Sequence, residues 1–236
     1  MTSYLQSENL LLAALPATDF ELLKPHLQTI DLPRGLTLVR SGDFPKRAFF
    51  PHSGVISSII TLGDGDVVEV RITGRDGALG AVAGAGEMAS FTSAVVRIEG
   101  KSSVIDLPKF ELALERSAAL RASLARHEAV QRAIGDQSIA CNATHTVEAR
   151  LARRLMHLSR TFGSTQFEVT QEVLAEMLGI RRNAVSLVAH AMKAAGIIRY
   201  SRGLVEIVDL DALRAQSCEC YDTVTAYQHA SEKRST

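Results

Sequence analysis

The chain of 236 residues is poor in cysteine, with three in all and none before position 141. An odd number of sparsely placed cysteines does not make a disulfide framework, and it suits a reducing compartment. No stretch approaches eighteen uninterrupted apolar residues, and no basic segment leads into an apolar one at the amino terminus. The sequence therefore predicts neither a membrane span nor a secretion signal, and it favours a cytoplasmic protein without a membrane partner.

Net charge is absent as well, because 26 basic residues balance 26 acidic ones. The total says nothing about partners, but the distribution does. Between positions 150 and 202 nine basic residues outnumber three acidic ones, and a local basic excess is typical of a nucleic-acid-binding surface. The chain also lacks a Ser/His/Asp constellation, a paired-carboxylate motif and a P-loop, so we expect no catalytic residues and no enzymatic activity.

The segment from Thr170 to Ile198 predicts two short helices joined at Gly179. In the first helix apolar residues recur every three to four positions, behind a Thr170 N-cap and an acid, Glu172, in the first turn. Gly179 suits a left-handed turn that other residues resist. The predicted inward residues of the second helix are Val185, Val188 and Met192.

The outward face of this second helix carries the residue types that a DNA major groove requires. Arginine can bond guanine through two donors, asparagine can pair with adenine, and serine or lysine can serve bases or phosphates. Two strand-like runs around Ser201–Gly203 follow, which is the pattern of a β-wing with a basic tip. We therefore predict a winged helix-turn-helix, with two amphipathic helices of an ordinary bundle as the alternative. Its predicted DNA-contacting residues are Thr170, Gln171, Arg181, Arg182, Asn183, Ser186, His190, Arg199 and Arg202.

In the part of the chain before the hairpin, the predicted secondary structure changes from helix to strand and back to helix. Residues 5–15 and 18–29 predict two short helices. Six short β-rich runs with Gly and Asp corners follow up to position 107, and this spacing indicates an antiparallel barrel or sandwich. Pro108 opens a predicted short helix that ends near Glu115.

A long helix is predicted over residues 118–146, and an amphipathic helix over 147–161 leads into the winged module. The long helix carries a thin apolar seam, which predicts a dimer helix that also leans on the β domain. Burial within one chain is the alternative. The last thirty residues predict a polar tail. The seam consists of Leu120, Leu124, Val130, Ile134 and Cys141.

The predicted fold class is α+β, in three parts. An N-terminal antiparallel β-roll with flanking short helices covers residues 1–116, a long dimerisation helix covers 117–146, and a winged helix-turn-helix covers 147–236. This order resembles the Crp/Fnr family of transcriptional regulators over essentially the whole chain. The residues that carry the likeness are Arg34-Gly35, Ser41-Gly42, the run Phe49–Gly54, Gly77–Gly80, Ser93-Ala94 and Arg150–Ala152.

The resemblance implies a β-roll that resembles a cyclic-nucleotide-binding cassette, but two positions depart from the family. Its pocket uses a Glu within Gly-Glu-Leu-Gly and an Arg just before Ser-Ala, and here those positions are Ala78 and Thr92. No cation then offsets a cyclic phosphate, so we expect no response to cyclic AMP in the standard way. Either a different small-molecule effector binds, or the cassette is vestigial and permanently filled. The predicted effector-pocket residues are Gly77, Ala78, Leu79, Gly80, Thr92 and Ser93, with Gly84 and Gly86 as further backbone donors.

The recognition helix keeps the family's leading arginine as Arg182 and departs elsewhere. Asn183 stands where the family's receptor has Glu, and Leu187 where it has a second Arg. Arg181 replaces the usual Ser, which removes an N-cap worth about 1 kcal/mol. The resemblance thus implies a palindromic operator with its own core sequence, and half-site centres roughly 34 Å apart.

No cofactor is predicted apart from an unidentified effector. Cys218-Glu-Cys220, with Cys141 or His229, invites a metal or thiol-switch hypothesis, but a lone Cys-x-Cys is more often two reduced thiols, so we predict no metal. The amino-terminal cysteine cluster of the family's iron–sulfur members is missing. Haem ligation through His52, His127 or His145 is a further hypothesis, against which a single histidine is usually structural.

The sequence thus favours a cytoplasmic, homodimeric, sequence-specific DNA-binding regulator of transcription. Double-stranded DNA is its predicted partner, and the resemblance adds RNA polymerase. The alternative from another class is a regulatory cassette protein that binds a nucleotide-like ligand and a protein partner and uses the C-terminal hairpin for protein contacts. The dependence of duplex binding on salt distinguishes the two hypotheses.

Overall fold

The structure is a computed structural model that describes residues 7–81 and 88–233. The chain divides into two compact units. Unit 1 comprises Met1–Ile60 and Ile72–Glu128, and unit 2 comprises Thr61–Arg71 and Ala129–Thr236. Among the described helices, none combines the length and the apolar character that crossing a membrane requires.

Unit 1 is built on antiparallel strands, as the spacing of the β-rich runs predicts. The strands, in chain order, are β1 (Gln28–Leu32), β2 (Thr37–Val39), β3 (Arg47–Pro51), β4 (Val55–Thr61), β5 (Val67–Thr73), β6 (Ser93–Ile98) and β7 (Gly100–Asp106). Most of β5 belongs to unit 2, which includes residues 61–71. One sheet has the strand order β1-β7-β3, and a second has the order β2-β6-β4-β5. The helices that flank them are α1 (Leu10–Ala13), α2 (Ala17–Phe20) and α3 (Leu107–Arg116), with a 3₁₀ turn at Lys24–His26.

The core of unit 1 forms where these helices cover the first sheet. Phe50 of β3 and Phe110 of α3 meet edge to face with ring centroids 5.7 Å apart, and both are fully buried. A second apolar cluster, which includes Leu32, Ile56 and Val96, fills the space beside the other sheet. The N-terminal β-roll of the predicted α+β fold is confirmed.

Two predictions for the first thirty residues are wrong. The predicted helix over 18–29 ends at Phe20, and Gln28–Leu32 form β1, which pairs with β7. Long-range pairing overrides local helical periodicity here. Of the predicted helix over 5–15 only Leu10–Ala13 is helical among the described residues, and residues 5 and 6 lie outside them.

The long helix α4 runs from Ala118 to Thr144, close to the predicted bounds. Leu120 and Leu124 of the predicted seam are buried in the core of unit 1, and Cys141 is fully buried in unit 2. Those three residues therefore cannot serve a partner. Another stripe is exposed, with alternating spacings of four and three residues. It consists of Ala118, Ala122, Ala125, Ala129, Arg132, Asp136, Ile139 and Ala143.

Unit 2 contains the predicted winged helix-turn-helix. Helix α5 (Val147–Phe162) begins at the N-cap Thr146 and ends at Gly163 in the left-handed conformation. The remaining elements of the winged module are β8 (Gln166–Glu168), α6 (Gln171–Leu178), α7 (Arg182–Ala194), β9 (Ile198–Ser201) and β10 (Leu204–Ile207). The three strands form the wing sheet, in the order β8-β10-β9.

The prediction of a polar C-terminal tail is wrong. The chain continues into α8 (Leu210–Gln216) and α9 (Cys220–Lys233). Helix α9 packs on α5, where the Arg160 guanidinium donates to the Gln228 side chain. Cys220, Val224 and Gln228 lie four residues apart on α9 and are buried. Because only one of these three is an aliphatic side chain, hydropathy periodicity gives little signal for the helix.

Candidate nucleic-acid interface

Helix α7 presents one apolar and one polar face, as predicted. Val185, Val188 and Met192 are buried. Arg182 and Asn183 are exposed, and so are Arg181, His190 and Lys193, while Ser186 is half-buried. Leu187 is 74% exposed. The outward side is therefore a polar and basic surface with one apolar side chain in its middle.

The turn before α7 has the geometry that its sequence dictates. The Thr170 hydroxyl accepts a hydrogen bond from Val173 N at 3.3 Å and thus caps α6. Gly179 ends that helix with φ 60° and ψ 43°, in the left-handed region that favours glycine. Arg181 occupies the N-cap of α7 without a side-chain hydrogen bond. Its guanidinium therefore remains at the surface, at the end of the helix that attracts anions.

The wing is a two-residue hairpin with a basic tip. Leu204 pairs with Ser201, so Arg202 and Gly203 form the turn, with φ values of 51° and 83°. Two consecutive positive φ values define a type I′ turn, which favours Asn-Gly. Val169 N donates to Gly203 O at 2.7 Å and therefore fixes the tip beside the start of α6.

Two of the predicted DNA-contacting arginines are paired with carboxylates of the same unit. Arg182 lies 2.9 Å from Glu172 of α6. Arg199 contacts both oxygens of Glu206 on the neighbouring strand, at 3.2 and 3.1 Å. Arg181 and Arg202, by contrast, form no ion pair within the described part of the chain. The two unpaired arginines are the cations most available to a phosphate.

Part of the basic excess that the sequence shows is structural rather than interfacial. Arg150 and Arg153 of α5 are buried. Arg154 forms an ion pair with the buried Glu69 of β5 at 3.2 Å, and its guanidinium donates to Met177 O at 3.0 Å. Burial lowers the pKa of Arg154, and the Glu69 carboxylate opposes that shift.

Arg150 and Arg154 stabilise the turn between α6 and α7 and do not belong to the exposed surface that could contact DNA. The Arg150 guanidinium donates to Leu178 O, and Arg154 to the preceding carbonyl, so both bond the last carbonyls of α6. Cations at a helix C-terminus also favour its dipole. The two side chains therefore hold the end of α6, and with it the turn that orients α7.

This arrangement of α6, turn, α7 and wing matches a known domain. The sequence of residues 149–216 matches the family model of the Crp-like helix-turn-helix domain. The module is a Crp-like helix-turn-helix domain. No curated protein matches the sequence of the chain.

Solved structures resemble the chain well beyond the Crp-like domain. A CRP-family transcriptional regulator from Thermus thermophilus shares 21% identity and a TM-score of 0.68, over 80% of this chain and 96% of that one. FixK2 from Bradyrhizobium japonicum shares 13% identity and a TM-score of 0.70, over 81% and 98%. The c-di-GMP-responsive global regulator CLP of Xanthomonas campestris shares 17% identity and a TM-score of 0.67, over 81% and 99%. The chain therefore has the fold of the Crp/Fnr transcriptional regulators.

The predicted effector-pocket residues fall into two groups. Leu79 exchanges two backbone hydrogen bonds with Phe49, at 2.8 and 2.9 Å, and Asn9 donates to Gly77 O at 2.9 Å. Ser93 accepts from Ser41 N at 3.0 Å. Within the described residues no hydrogen bond or ion pair joins the group Gly77–Gly80 to the group Thr92–Ser93. Gly84 and Gly86 lie outside the described residues.

Ala78 takes part in the apolar core, where the family has a ribose-binding Glu. It is 5% exposed and belongs to the cluster that contains Phe50 and Leu120. The ring of His127 in α4 packs against this segment, with Nε2 3.5 Å from Ala78 N. A Cβ atom at Gly77 would lie only 2.8 Å from the same ring. This part of the cassette is occupied by the protein's own side chains.

The two other histidines considered for haem are engaged in polar contacts. His52 Nε2 lies 2.7 Å from the Ser103 hydroxyl, and its Nδ1 lies 3.5 Å from Glu8. Burial lowers the pKa of His52, and the Glu8 charge opposes this shift. His145 lies beside the cysteines, with Nδ1 3.6 Å from Cys220 Sγ.

The three cysteines lie together although the sequence separates them. Cys141, Cys218 and Cys220 are buried and free, and Cys141 Sγ lies 3.5 Å from Cys218 Sγ. His229, the other residue considered, is exposed and outside this cluster. Burial raises the pKa of Cys141 to about 12, while the nearby Arg153 opposes the rise. A protonated thiol is a poor nucleophile, so this environment does not favour a thiol switch.

Sequence reasoning missed two features of unit 2. The sequence accounts for Glu172 only through the dipole of α6, because its pairing with Arg182 depends on how the hairpin folds. His145 follows Cys141 by four residues, the spacing that brings two donors to one side of a helix. This spacing is the signal in the sequence that could have placed His145 beside Cys141.

Proposed function

We propose that the protein is a cytoplasmic, homodimeric, sequence-specific DNA-binding regulator of transcription. The observation that carries the proposal is the exposed polar face of α7, with Arg182 and Asn183 at its start and an apolar core behind it. RNA polymerase is a further partner by likeness to the Crp/Fnr fold. The predicted domain limits of 1–116, 117–146 and 147–236 are part of the same proposal.

Three side chains of α7 read the bases in this account. Arg182 bonds a guanine through two donors, and Asn183 pairs with an adenine. Leu187, which is 74% exposed, makes an apolar contact with a thymine methyl group. Ser186 and His190 lie on the same face and contact base edges or the adjoining backbone.

The Arg182–Glu172 ion pair does not prevent such readout. Both side chains are more than half exposed, at 62% and 52%. An exposed pair of this kind is worth at most about 1 kcal/mol, whereas a bidentate contact to guanine is worth about 1–3 kcal/mol. Arg182 therefore exchanges its carboxylate for the base when DNA binds.

Phosphate contacts fix the register of the module on the duplex. Arg181 and Arg202 supply them from the start of α7 and from the wing tip, and Arg199, Thr170 and Gln171 lie nearby along the same module. Such contacts carry no sequence information, but they provide most of the salt dependence of binding.

The exposed stripe of α4 supports the homodimer. Its spacing of four and three residues is that of a helix seam, and alanine lets two helices approach closely. Arg132 and Asp136 lie in adjacent layers of this stripe, so each can pair with the residue of opposite charge in the partner. The two recognition helices then address the two halves of a palindrome.

The effector is proposed to differ from cyclic AMP. Ala78 is packed in the core beside His127, so a ribose-binding carboxylate has no counterpart there. Thr92 offers no charge to a phosphate. A structural relative is itself described as responsive to c-di-GMP, and a small molecule of another shape is the effector we propose for this cassette. A cassette that stays permanently filled is the alternative.

Binding to duplexes selected from a random library tests the function. The wild-type protein is expected to lose affinity steeply with rising salt. Arg182→Ala is expected to cost about 1–3 kcal/mol and relax base preference at one position, while Arg202→Ala lowers affinity for all sequences alike. Arg214→Ala, at an exposed cation of α8, serves as the matched control and leaves binding unchanged.

Fluorescence anisotropy over a range of salt concentrations measures these effects. Equal affinities for all three variants and the wild-type protein would refute the proposed interface. In that case the regulatory cassette that binds a protein partner becomes the better explanation.

A further inference from the structure

Four metal-binding side chains meet where the long helix ends and the last helix begins. Cys141 lies in the last turn of α4, and His145 follows the end of that helix. Cys218 precedes α9, and Cys220 is its first residue. The four donor atoms all lie within 4.8 Å of one another. Residues some 75 positions apart in sequence thus converge on one point inside unit 2.

Two of the six distances between donor atoms match those of a single tetrahedral ion, and the whole set lies within 4.8 Å. Cys141 Sγ and Cys218 Sγ are 3.5 Å apart, and Cys220 Sγ and His145 Nδ1 are 3.6 Å apart. Four ligands at about 2.3 Å (sulfur) and about 2.0–2.1 Å (nitrogen) from one ion stand about 3.5–3.8 Å from each other. A four-iron cluster binds each thiolate to a different iron and therefore needs a wider spacing of the sulfurs.

Neighbouring side chains form hydrogen bonds with two of the four donor residues, as is usual around bound metal ions. His145 presents Nδ1 to the cysteines, and its Nε2 lies 3.3 Å from a carboxylate oxygen of Glu219. A ligating histidine usually donates its other N–H to such a carboxylate, which fixes the ring and its tautomer. Gln137 Nε2 also donates to Cys220 Sγ at 3.0 Å.

The charges of unit 2 favour an anionic centre at this place. A divalent ion with three thiolates and a neutral histidine carries one negative charge. Arg150 and Arg153 are each only 8% exposed, and in the described part of the chain neither pairs with a carboxylate. Both guanidinium groups interact electrostatically with the Cys141 thiol. Buried cations need a partner of opposite charge, and a metal–thiolate centre supplies one.

We propose that Cys141, His145, Cys218 and Cys220 bind one Zn²⁺ ion and that this ion fastens α9 to the end of α4. Three thiolates and one imidazole in a tetrahedron select zinc among the common divalent ions that lack redox chemistry. Because all four positions are filled by protein, the site has a structural role. This site is independent of the proposed DNA interface, which uses none of the four residues.

Metal binding by the purified full chain tests the proposal. The protein is stripped with a chelator under reducing conditions and then titrated with Co²⁺ and Zn²⁺. We expect one equivalent of either ion per chain, a visible spectrum of tetrahedral cobalt with thiolate-to-metal charge transfer, and displacement of Co²⁺ by Zn²⁺. Zinc is also expected to raise the thermal unfolding midpoint, since it binds the folded chain more tightly than the unfolded one.

Two variants and a control keep the test decisive. Cys220→Ser and His145→Gln are expected to lose the bound equivalent of Zn²⁺ and the tetrahedral spectrum, with His145 chosen because it is only half-buried and therefore tolerant of replacement. His229→Gln changes an exposed histidine of α9 and is expected to retain both. Circular dichroism confirms that each variant is folded.

Three results would overturn the proposal. The first is a wild-type chain that takes up no Zn²⁺ or Co²⁺ after reduction. The second is an undiminished stoichiometry in the folded His145→Gln and Cys220→Ser variants. The third is a Cys141–Cys218 disulfide in peptide maps of the freshly purified protein, which would mark a redox pair instead. DNA binding is measured separately, so its loss or retention does not affect this conclusion.

Discussion

Arg202 adopts a backbone conformation that L side chains rarely adopt. Among the described residues it alone combines a positive φ with a side chain, in a turn type that prefers asparagine. Left-handed backbone costs a residue of this kind about 1–2 kcal/mol. The arginine therefore holds a guanidinium at the wing tip at the expense of stability.

Replacement of Arg202 by asparagine separates these two effects. Arg202→Asn is expected to raise the free energy of unfolding by about 1 kcal/mol, because asparagine tolerates the left-handed region. It is also expected to weaken binding to every duplex and to reduce the salt slope by about one. Chemical denaturation and anisotropy titrations measure the two quantities. Lower stability, or an unchanged salt slope, would contradict the role assigned to the wing.

Helix α5 concentrates cations around His157. Burial, followed by the charges of Arg154, Arg160 and Arg153, holds the pKa of His157 well below its usual value. The folded protein therefore keeps this imidazole neutral at pH values where the unfolded chain, with a histidine pKa of about 6.5, binds a proton. The contribution of the neutral His157 to the free energy of unfolding is therefore fully present above about pH 6.5. It is lost progressively as the pH falls below that value.

His157→Gln is expected to flatten this acid dependence. A single proton taken up only by the unfolded chain changes the free energy of unfolding by up to about 1.4 kcal/mol per pH unit. Urea unfolding of chelator-treated protein between pH 7 and pH 5 measures the slope. His229→Gln, at an exposed site, is the control that keeps the wild-type slope. Identical slopes for all three proteins would show that His157 does not govern it.

The exposed stripe of α4 makes a prediction about assembly. Ala129→Glu places two like charges at the proposed helix seam, where burying them costs several kcal/mol. We expect the dimer dissociation constant to rise at least about a hundredfold, and Ala129→Ser, which stays small and neutral, to leave it nearly unchanged. Light scattering after gel filtration reports the mass. A dimeric Ala129→Glu protein would exclude this seam.

Local signals predicted some elements well and others poorly. The helix-turn-helix was predictable because the Thr170 cap, the Gly179 turn and the apolar residues of both helices agree with one another. Strand β1 was not, because its pairing with β7 depends on residues 68 to 76 positions away. Helix α9 was missed because its buried face contains a cysteine and a glutamine.

The candidate site shows the same division. Exposure of Arg182 and Asn183 follows from helical periodicity alone, and it is confirmed. Arg150, Arg153 and Arg154 contribute to the local basic excess of the sequence but not to an exposed basic surface, since charge counts along the sequence do not report burial. Likewise, the seam chosen from large apolar residues includes two leucines of the protein's own core, while the exposed stripe is mostly alanine.

At the scale of the whole molecule, the proposed function depends on two-fold symmetry. A single α7 reads only a few base pairs, so a dimer is needed for a specific site. An effector that favours one dimer geometry over another would then change DNA affinity through the separation of the two helices. Under the proposed function, the separation of the two α7 helices would therefore be the quantity that links effector binding to DNA affinity.

Selection of duplexes from a random library by the wild-type protein tests this account most directly. We expect enrichment of an inverted repeat whose half-site centres are one helical turn, roughly 34 Å, apart. Recovery of unrelated sequences, or of a single asymmetric half-site bound by one chain, would contradict it.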